Sequence, residues 1–225
     1  MSFRYVYEPR RPRFRFTRYE VGQILLAVGA LTLAFLIVDV NPLYGSVPSL
    51  DWIAVRLFAA LVAVITGFLF HEFAHKAMAV RYRCWAEFRA DKRGLLIGIG
   101  SSLLGFVFAM PGAVYVDGNP GPVKEGKLSL AGPMTNLVLG SAGVLLAFAS
   151  RGLGGAMTTD PGYIARLTFA QMAFVNLLLG AYNMIPLYPM DGSKVYRWDK
   201  RIYVGAFAGL IAVFAAGFLT GAFAI

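Results

Sequence analysis

The chain has one cysteine, Cys84, two histidines and 12 acidic residues among its 225. A single cysteine closes no intramolecular disulfide, so a disulfide-stapled scaffold is excluded and Cys84 reads as a reduced thiol without chemistry. Charge of either sign is scarce as well. Asp, Glu, Lys and Arg make up 15% of the residues against 58% hydrophobic, and mean hydropathy is +0.63, whereas soluble domains are about a quarter charged. That balance excludes a soluble enzyme, a disordered chain and a collagen-like one.

Long apolar runs fill the space that charge leaves. Stretches 21–38, 52–80, 128–148, 165–185 and 203–225 each suffice to cross a hydrocarbon core at about 1.5 Å per residue. A sixth, 94–116, is interrupted by Ser101–Ser102 and Pro111–Gly112. The sequence therefore predicts an all-α polytopic membrane protein of five to six transmembrane helices. A basic tail over 1–20 precedes a single integral-membrane domain over 21–225, whose core spans about 52–195. The first span follows a long tail without a small-residue cleavage site, so it reads as retained.

Net charge is +9, and its distribution orients the chain. The basic residues cluster in the N-terminal tail (Arg4, Arg10, Arg11, Arg13, Arg15, Arg18), in 76–93 and in 194–201. If 94–116 dips in and returns, as a re-entrant or strand-like segment, all three clusters share one side. If it crosses fully, Lys194, Arg197, Lys200 and Arg201 fall outside, against the positive-inside rule. The first arrangement predicts a cytoplasmic N-terminus in a multi-pass protein of the cell membrane. Irregular backbone at membrane depth must then be buried by protein or line a wet cavity, which implies an internal site. Phe3, Tyr5, Tyr7, Phe14 and Phe16 among the tail arginines suit an interfacial anchor on anionic lipid rather than nucleic acid.

Both histidines stand in His71-Glu72-Phe73-Ala74-His75, near the inner end of the second span. On a helix, residues i and i+4 share a face, so two imidazoles can hold one zinc ion while Glu72 reaches the water beside it. An interfacial reading, with Glu72 and Lys76 forming an i, i+4 pair, leaves the joint spacing unexplained. Hydrolytic zinc needs a third protein ligand and an open fourth position. Asp191 is the best remaining candidate, placed where Pro186, Pro189 and Gly192 break the chain on the same inner side. Asn176 and Asn183 lie seven residues apart on one face of the preceding span and need polar partners.

His71-Glu72-x-x-His75, Gly132-Pro133-Met-Thr-Asn136 and Asn183-x-x-Pro186-x-x-Pro189-x-Asp191-Gly192 together resemble the three signature motifs of site-2 proteases, the intramembrane zinc metalloproteases. The resemblance implies a three-helix catalytic core and one zinc per chain, held by His71, His75 and Asp191. It also implies Glu72 as the catalytic acid/base, and cleavage of membrane-spanning protein substrates toward the cytoplasmic side. Asn136, Asn183 and Asn176 are candidates for orienting substrate or oxyanion, or serve as helix–helix glue worth about 0.6 kcal/mol apiece. Ala113, Val114, Tyr115 and Val116 are β-prone and could offer an edge to an unwound substrate. Two other readings stay open, a membrane transporter and a non-catalytic metal-binding homologue. Oligomeric state is not legible. Gly205-x-x-x-Gly209 and Gly217-x-x-x-Gly221 suit packing inside the bundle more than dimerisation.

Overall fold

The computed structural model describes residues 13–40, 49–153 and 159–223. The expected interfacial anchoring by Arg4, Arg10 and Arg11, and most of the turn expected after the first span, lie outside the described residues. Among the described residues, five helices are long and apolar enough to cross a membrane. The first is α1 (Arg18–Asp39). The second, Leu50–Arg81, is built from α2 (Leu50–Val64), one π-helical turn (Ile65–Leu69) and α3 (Phe70–Arg81). The third continues α5 (Pro122–Ala149) into a short 3-10 turn, and α6 (Pro161–Asn183) and α8 (Lys200–Leu219) complete the set. This is a mostly helical, polytopic membrane protein.

Local chemistry marks where these helices begin. Thr17 and Ser49 accept the backbone N–H groups of Glu20 and Trp52, and Asp199 accepts those of Arg201 and Ile202. Each cap satisfies donors that a helix end leaves orphaned. α5 and α6 begin with Pro122 and Pro161, whose missing N–H costs nothing in a first turn.

The interrupted stretch 94–116 is not a span. It divides into α4 (Lys92–Ser102), capped by Asp91, then an irregular stretch, then strand β2 (Gly112–Asp117). β2 pairs antiparallel with β1 (Trp85–Ala90), with Phe88 opposite Val114. Among the described residues this is the only sheet, and β1 was not foreseen. Gly112 makes the turn into β2 possible, because its φ is +131° and a Cβ there would lie 2.1 Å from the Arg89 carbonyl oxygen.

Helices α5 and α6 approach closely through small residues. A Cβ on Gly143 would stand 2.9 Å from Ala173 Cα, and one on Gly140 would stand 2.6 Å from Leu177. Without a hydrophobic force between helices in lipid, this close van der Waals fit carries their association. One core joins α1, the second span and the sheet through Leu31, Val64, Phe68 and Phe88. Another joins α6, α7 (Asp191–Trp198) and α8 through Leu177, Met184, Val195 and Leu210. Of the glycines in the last span, Gly209 faces α5, where a Cβ would stand 3.6 Å from Leu137, Gly217 is covered by Phe223 from the same end of the chain, and Gly205 meets nothing within 4 Å.

Gly143→Val should overpack the α5–α6 contact and destabilise the fold by about 1–3 kcal/mol, read as a lower Tm in detergent, whereas Gly205→Val should leave Tm unchanged.

Candidate metal centre

The π-helical turn Ile65–Leu69 immediately precedes the His-Glu-x-x-His helix. Its wider turn rotates all that follows relative to α2 and alters which carbonyls are free, a departure that recurs at functional sites. The Gly67 carbonyl accepts from Asn136 Nδ2 at 2.7 Å. Because that bond assigns nitrogen and oxygen of the Asn136 amide, its Oδ1 must face His71 Nδ1, which therefore carries the proton. His75 Nδ1 donates to the Leu128 carbonyl at 2.9 Å. Both rings are thus held in one tautomer, with Nε2 bare.

The two bare nitrogens converge. His71 Nε2 and His75 Nε2 are 2.9 Å apart, and Asp191 Oδ2 lies 3.3 Å from the first and 3.0 Å from the second. Three acceptors facing one another without a donor repel unless a cation lies among them. Ligands of a tetrahedral zinc ion stand roughly 3.3–3.6 Å apart at ordinary bond lengths, within a few tenths of an ångström of what is found here. The donor set, two imidazoles and a carboxylate, is also one that zinc prefers.

Asp191 reaches this point because the chain doubles back. Gly192 lies so close to the end of α6 that a Cβ would fall 2.2 Å from the Met184 carbonyl oxygen. Met184 is fully buried, and α7 starts at Asp191 itself. Without a metal, a proton entering this trio sits on an imidazole and not on Asp191: burial raises the carboxyl, but a charged imidazole facing it outweighs burial and holds the group well below the usual carboxylate range.

Gly132 completes the cradle. A Cβ there would stand 2.5 Å from Nε2 of both His71 and His75, so any larger residue would occupy the space where the three ligand atoms meet. Glu72 is buried one residue from His71, and its Oε2 has no hydrogen-bond partner among the described residues. The Val114 N–H turns toward that carboxylate. A cleft of about 640 Å³ opens beside it, lined among others by Glu72, Val114, Tyr115, Asn183 and Asp191.

Proteins similar to this chain carry zinc metalloprotease names. A candidate zinc metalloprotease of Methanocaldococcus jannaschii is 33% identical over 192 residues, covering 84% of this chain and 90% of that protein. This chain belongs to the site-2 protease family. A second M. jannaschii protein, named a zinc metalloprotease, is 29% identical over 66% of this chain and 35% of its own length. A candidate zinc metalloprotease of Bacillus subtilis is 29% identical over 60% of this chain and 66% of its own length. No protein-family model and no solved structure matches the chain.

Within this metalloprotease the three asparagines occupy different places. Asn136 and Asn176 are fully buried and bonded to each other at 3.1 Å. Asn176 Nδ2 donates to Thr66 Oγ1 at 3.0 Å and to the Met172 carbonyl at 2.8 Å. Their amides therefore tie α5 and α6 to the π-helical turn and orient His71, leaving no donor for a substrate. Asn183 alone faces the cleft, while its Nδ2 donates to Leu179 of its own helix. Residues 113–116 all line the cleft. Sequence reasoning missed Thr66, Gly132 as a steric requirement and the Leu128 carbonyl. The hydroxyl of Thr66 in an apolar span was a signal, but a backbone carbonyl leaves none.

Gly132→Ala should abolish stoichiometric zinc binding while the helical content by circular dichroism stays unchanged. Asn136→Ala, which frees the His71 ring, should weaken zinc affinity about 10–100-fold in a competition with a chromogenic chelator.

Proposed function

We propose that this chain is an intramembrane zinc endopeptidase that hydrolyses peptide bonds in or near transmembrane segments of protein substrates. The observation that carries the reading is the convergence of His71, His75 and Asp191 beside Glu72, whose Oε2 has no hydrogen-bond partner among the described residues, in a cleft walled by spanning helices. One zinc per chain would be held by His71 Nε2, His75 Nε2 and Asp191 Oδ2. When bound, zinc supplies Lewis acidity of the kind that draws the pKa of water from about 15.7 toward 7.

Glu72 does the proton work. Glu72 lines the cleft beside the three ligands, so it takes the proton as water attacks the scissile carbonyl and returns it to the leaving nitrogen. Asn136 and Asn176 keep the His71 ring fixed meanwhile. Asn183, on the cleft wall, is the remaining asparagine that can meet substrate.

A helical substrate satisfies its own carbonyls, so it must unwind before one becomes reachable. An extended segment then needs new backbone partners. Strand β2 is bonded to β1 on one edge, and its other edge faces the cleft at Val114, so the unwound segment adds there as a further strand. Gly-Pro-rich breaks in the substrate would favour the extended form.

The orientation follows charge. With the N-terminus cytoplasmic, Lys92, Arg93, Lys194, Arg197, Lys200 and Arg201 fall on the inner side with the metal centre, and Arg151 and Arg166 on the outer. The protein resides in the cell membrane on this reading, with its cleft toward the cytoplasm.

Zinc per chain and cleavage of a synthetic single-span peptide carrying a Gly-Pro break test the proposal together. Wild type should hold one zinc, and His71→Ala and Asp191→Ala should lose both metal and cleavage. Glu72→Gln should keep the metal and lose cleavage by at least about 100-fold. A wild type that binds zinc but never cuts would make the chain a non-catalytic homologue.

Topology has its own measurement in intact cells. In a Cys84→Ser background, cysteines at 118 and 194 should resist a membrane-impermeant thiol reagent, and labelling at 194 would reverse the inner placement of Asp191.

A further inference from the structure

The helix that carries the histidines holds one more buried charge. Lys76, next to His75, and Glu20 of α1 are each 1% exposed, and the Lys76 ammonium bonds both oxygens of the Glu20 carboxylate. The i, i+4 pairing of Lys76 with Glu72 weighed from sequence does not form. Phe16 covers the ammonium at 4.3 Å from its ring centre, with Phe14 and Phe73 packed around Phe16. A charge so enclosed persists only when paired and fully hydrogen-bonded.

Glu20 has a further partner. Its Oε1 accepts the backbone N–H of Phe88 at 3.0 Å, and three residues along the same face of α1, Gln23 Oε1 accepts that of Ala90 at 3.3 Å. These two groups lie on the edge of β1 that β2 does not cover, so α1 acts there as a substitute strand. In an antiparallel ladder a residue that turns its N–H outward stands opposite one that does the same on the other side. Phe88 stands opposite Val114, whose N–H accordingly turns to Glu72.

The contacts close a ring. Glu72 faces Val114, Val114 is paired with Phe88, Phe88 is bonded to Glu20, and Glu20 is bonded to Lys76, one turn below Glu72 on α3. The two-stranded sheet is thereby wedged between the first spanning helix and the catalytic helix, and its separation from the Glu72 carboxylate depends on where Glu20 holds β1.

We propose that Glu20 is a positioning residue for proteolysis: clamped by Lys76 and bonded to β1, it sets the distance at which the free edge of β2 presents a substrate backbone to Glu72. The inference rests on β2 being the strand that the substrate joins. Neither Glu20 nor Lys76 touches the metal ligands' donor atoms, so zinc binding should survive their replacement.

The test compares Glu20→Leu/Lys76→Met, which removes charge and acceptor together, with Glu20→Gln/Lys76→Met, which keeps an acceptor for Phe88. Replacing a buried ion pair by apolar groups of similar volume is tolerated by folded proteins. The charge-swapped Glu20→Lys/Lys76→Glu keeps the pair, removes the acceptor, and carries the same expected losses should the apolar variant not fold. Each protein in detergent is assayed for zinc, for amide hydrogen exchange, and for kcat and KM on the single-span peptide.

Glu20→Leu/Lys76→Met should keep one zinc per chain, exchange about tenfold faster over 85–90 and 112–117, and raise KM about tenfold. Glu20→Gln/Lys76→Met should restore both to within about threefold of wild type. Unchanged exchange and KM in the apolar variant would overturn the proposal, as would loss of zinc there, since the pair would then serve the metal helix instead. Val114→Pro separates the failures. If it leaves cleavage intact while the apolar variant loosens the sheet without moving KM, β2 is not the substrate strand, and the positioning role falls with it.

Discussion

Three electron-rich atoms pointing at one another are an unstable arrangement, and most of this structure serves to impose it. His71 Nε2, His75 Nε2 and Asp191 Oδ2 all accept and none donates, so they attract only through a cation placed among them. Each is held in that pose by something outside the trio. Asn136 and the Leu128 carbonyl take the protons of the two rings, and the buried return of the chain at Met184 and Gly192 delivers the carboxylate. Gly132 keeps clear the volume where they meet.

Such polar order is costly inside a membrane protein, where an unpaired amide or hydroxyl finds no water. The chain meets that cost by connecting its polar groups. Thr66, Asn176, Asn136 and His71 form one line of hydrogen bonds that crosses three spanning helices. The same bonds that set the imidazole also lock helix positions, so the metal centre and the bundle stabilise each other. Small residues do the complementary work, letting α5 and α6 approach until Gly140 and Gly143 touch the partner helix.

The sheet obeys the same requirement from the other side. β1 and β2 alone leave N–H groups bare on both outer edges, a configuration tolerated within a membrane protein only where other groups cover it. On one edge α1 supplies Glu20 and Gln23; on the other lie Glu72 and the cleft. A pair of strands too small to be stable alone is thus useful because it is held, and its open edge lies beside the residue that moves protons.

The five spans were legible because hydrophobic length is a property of consecutive residues, and the His-Glu-x-x-His set because its spacing fits one turn of helix. Asp191 was legible in kind, since two prolines and a glycine announce a break on the histidines' side. What local pattern could not supply was contact between distant segments. The π-helical turn at Ile65–Leu69, the pairing of β1 with β2, the amide line through Asn136 and the Glu20–Lys76 pair all join residues far apart in the chain or depend on a helix leaving its regular period. By itself, then, the sequence determined a membrane-embedded helical chain with a candidate zinc triad and acid/base. Only the tertiary structure decided that the triad closes, that Asn136 and Asn176 serve the imidazole and not the substrate, and that 94–116 turns into a held strand, because each follows from which groups meet when the helices pack.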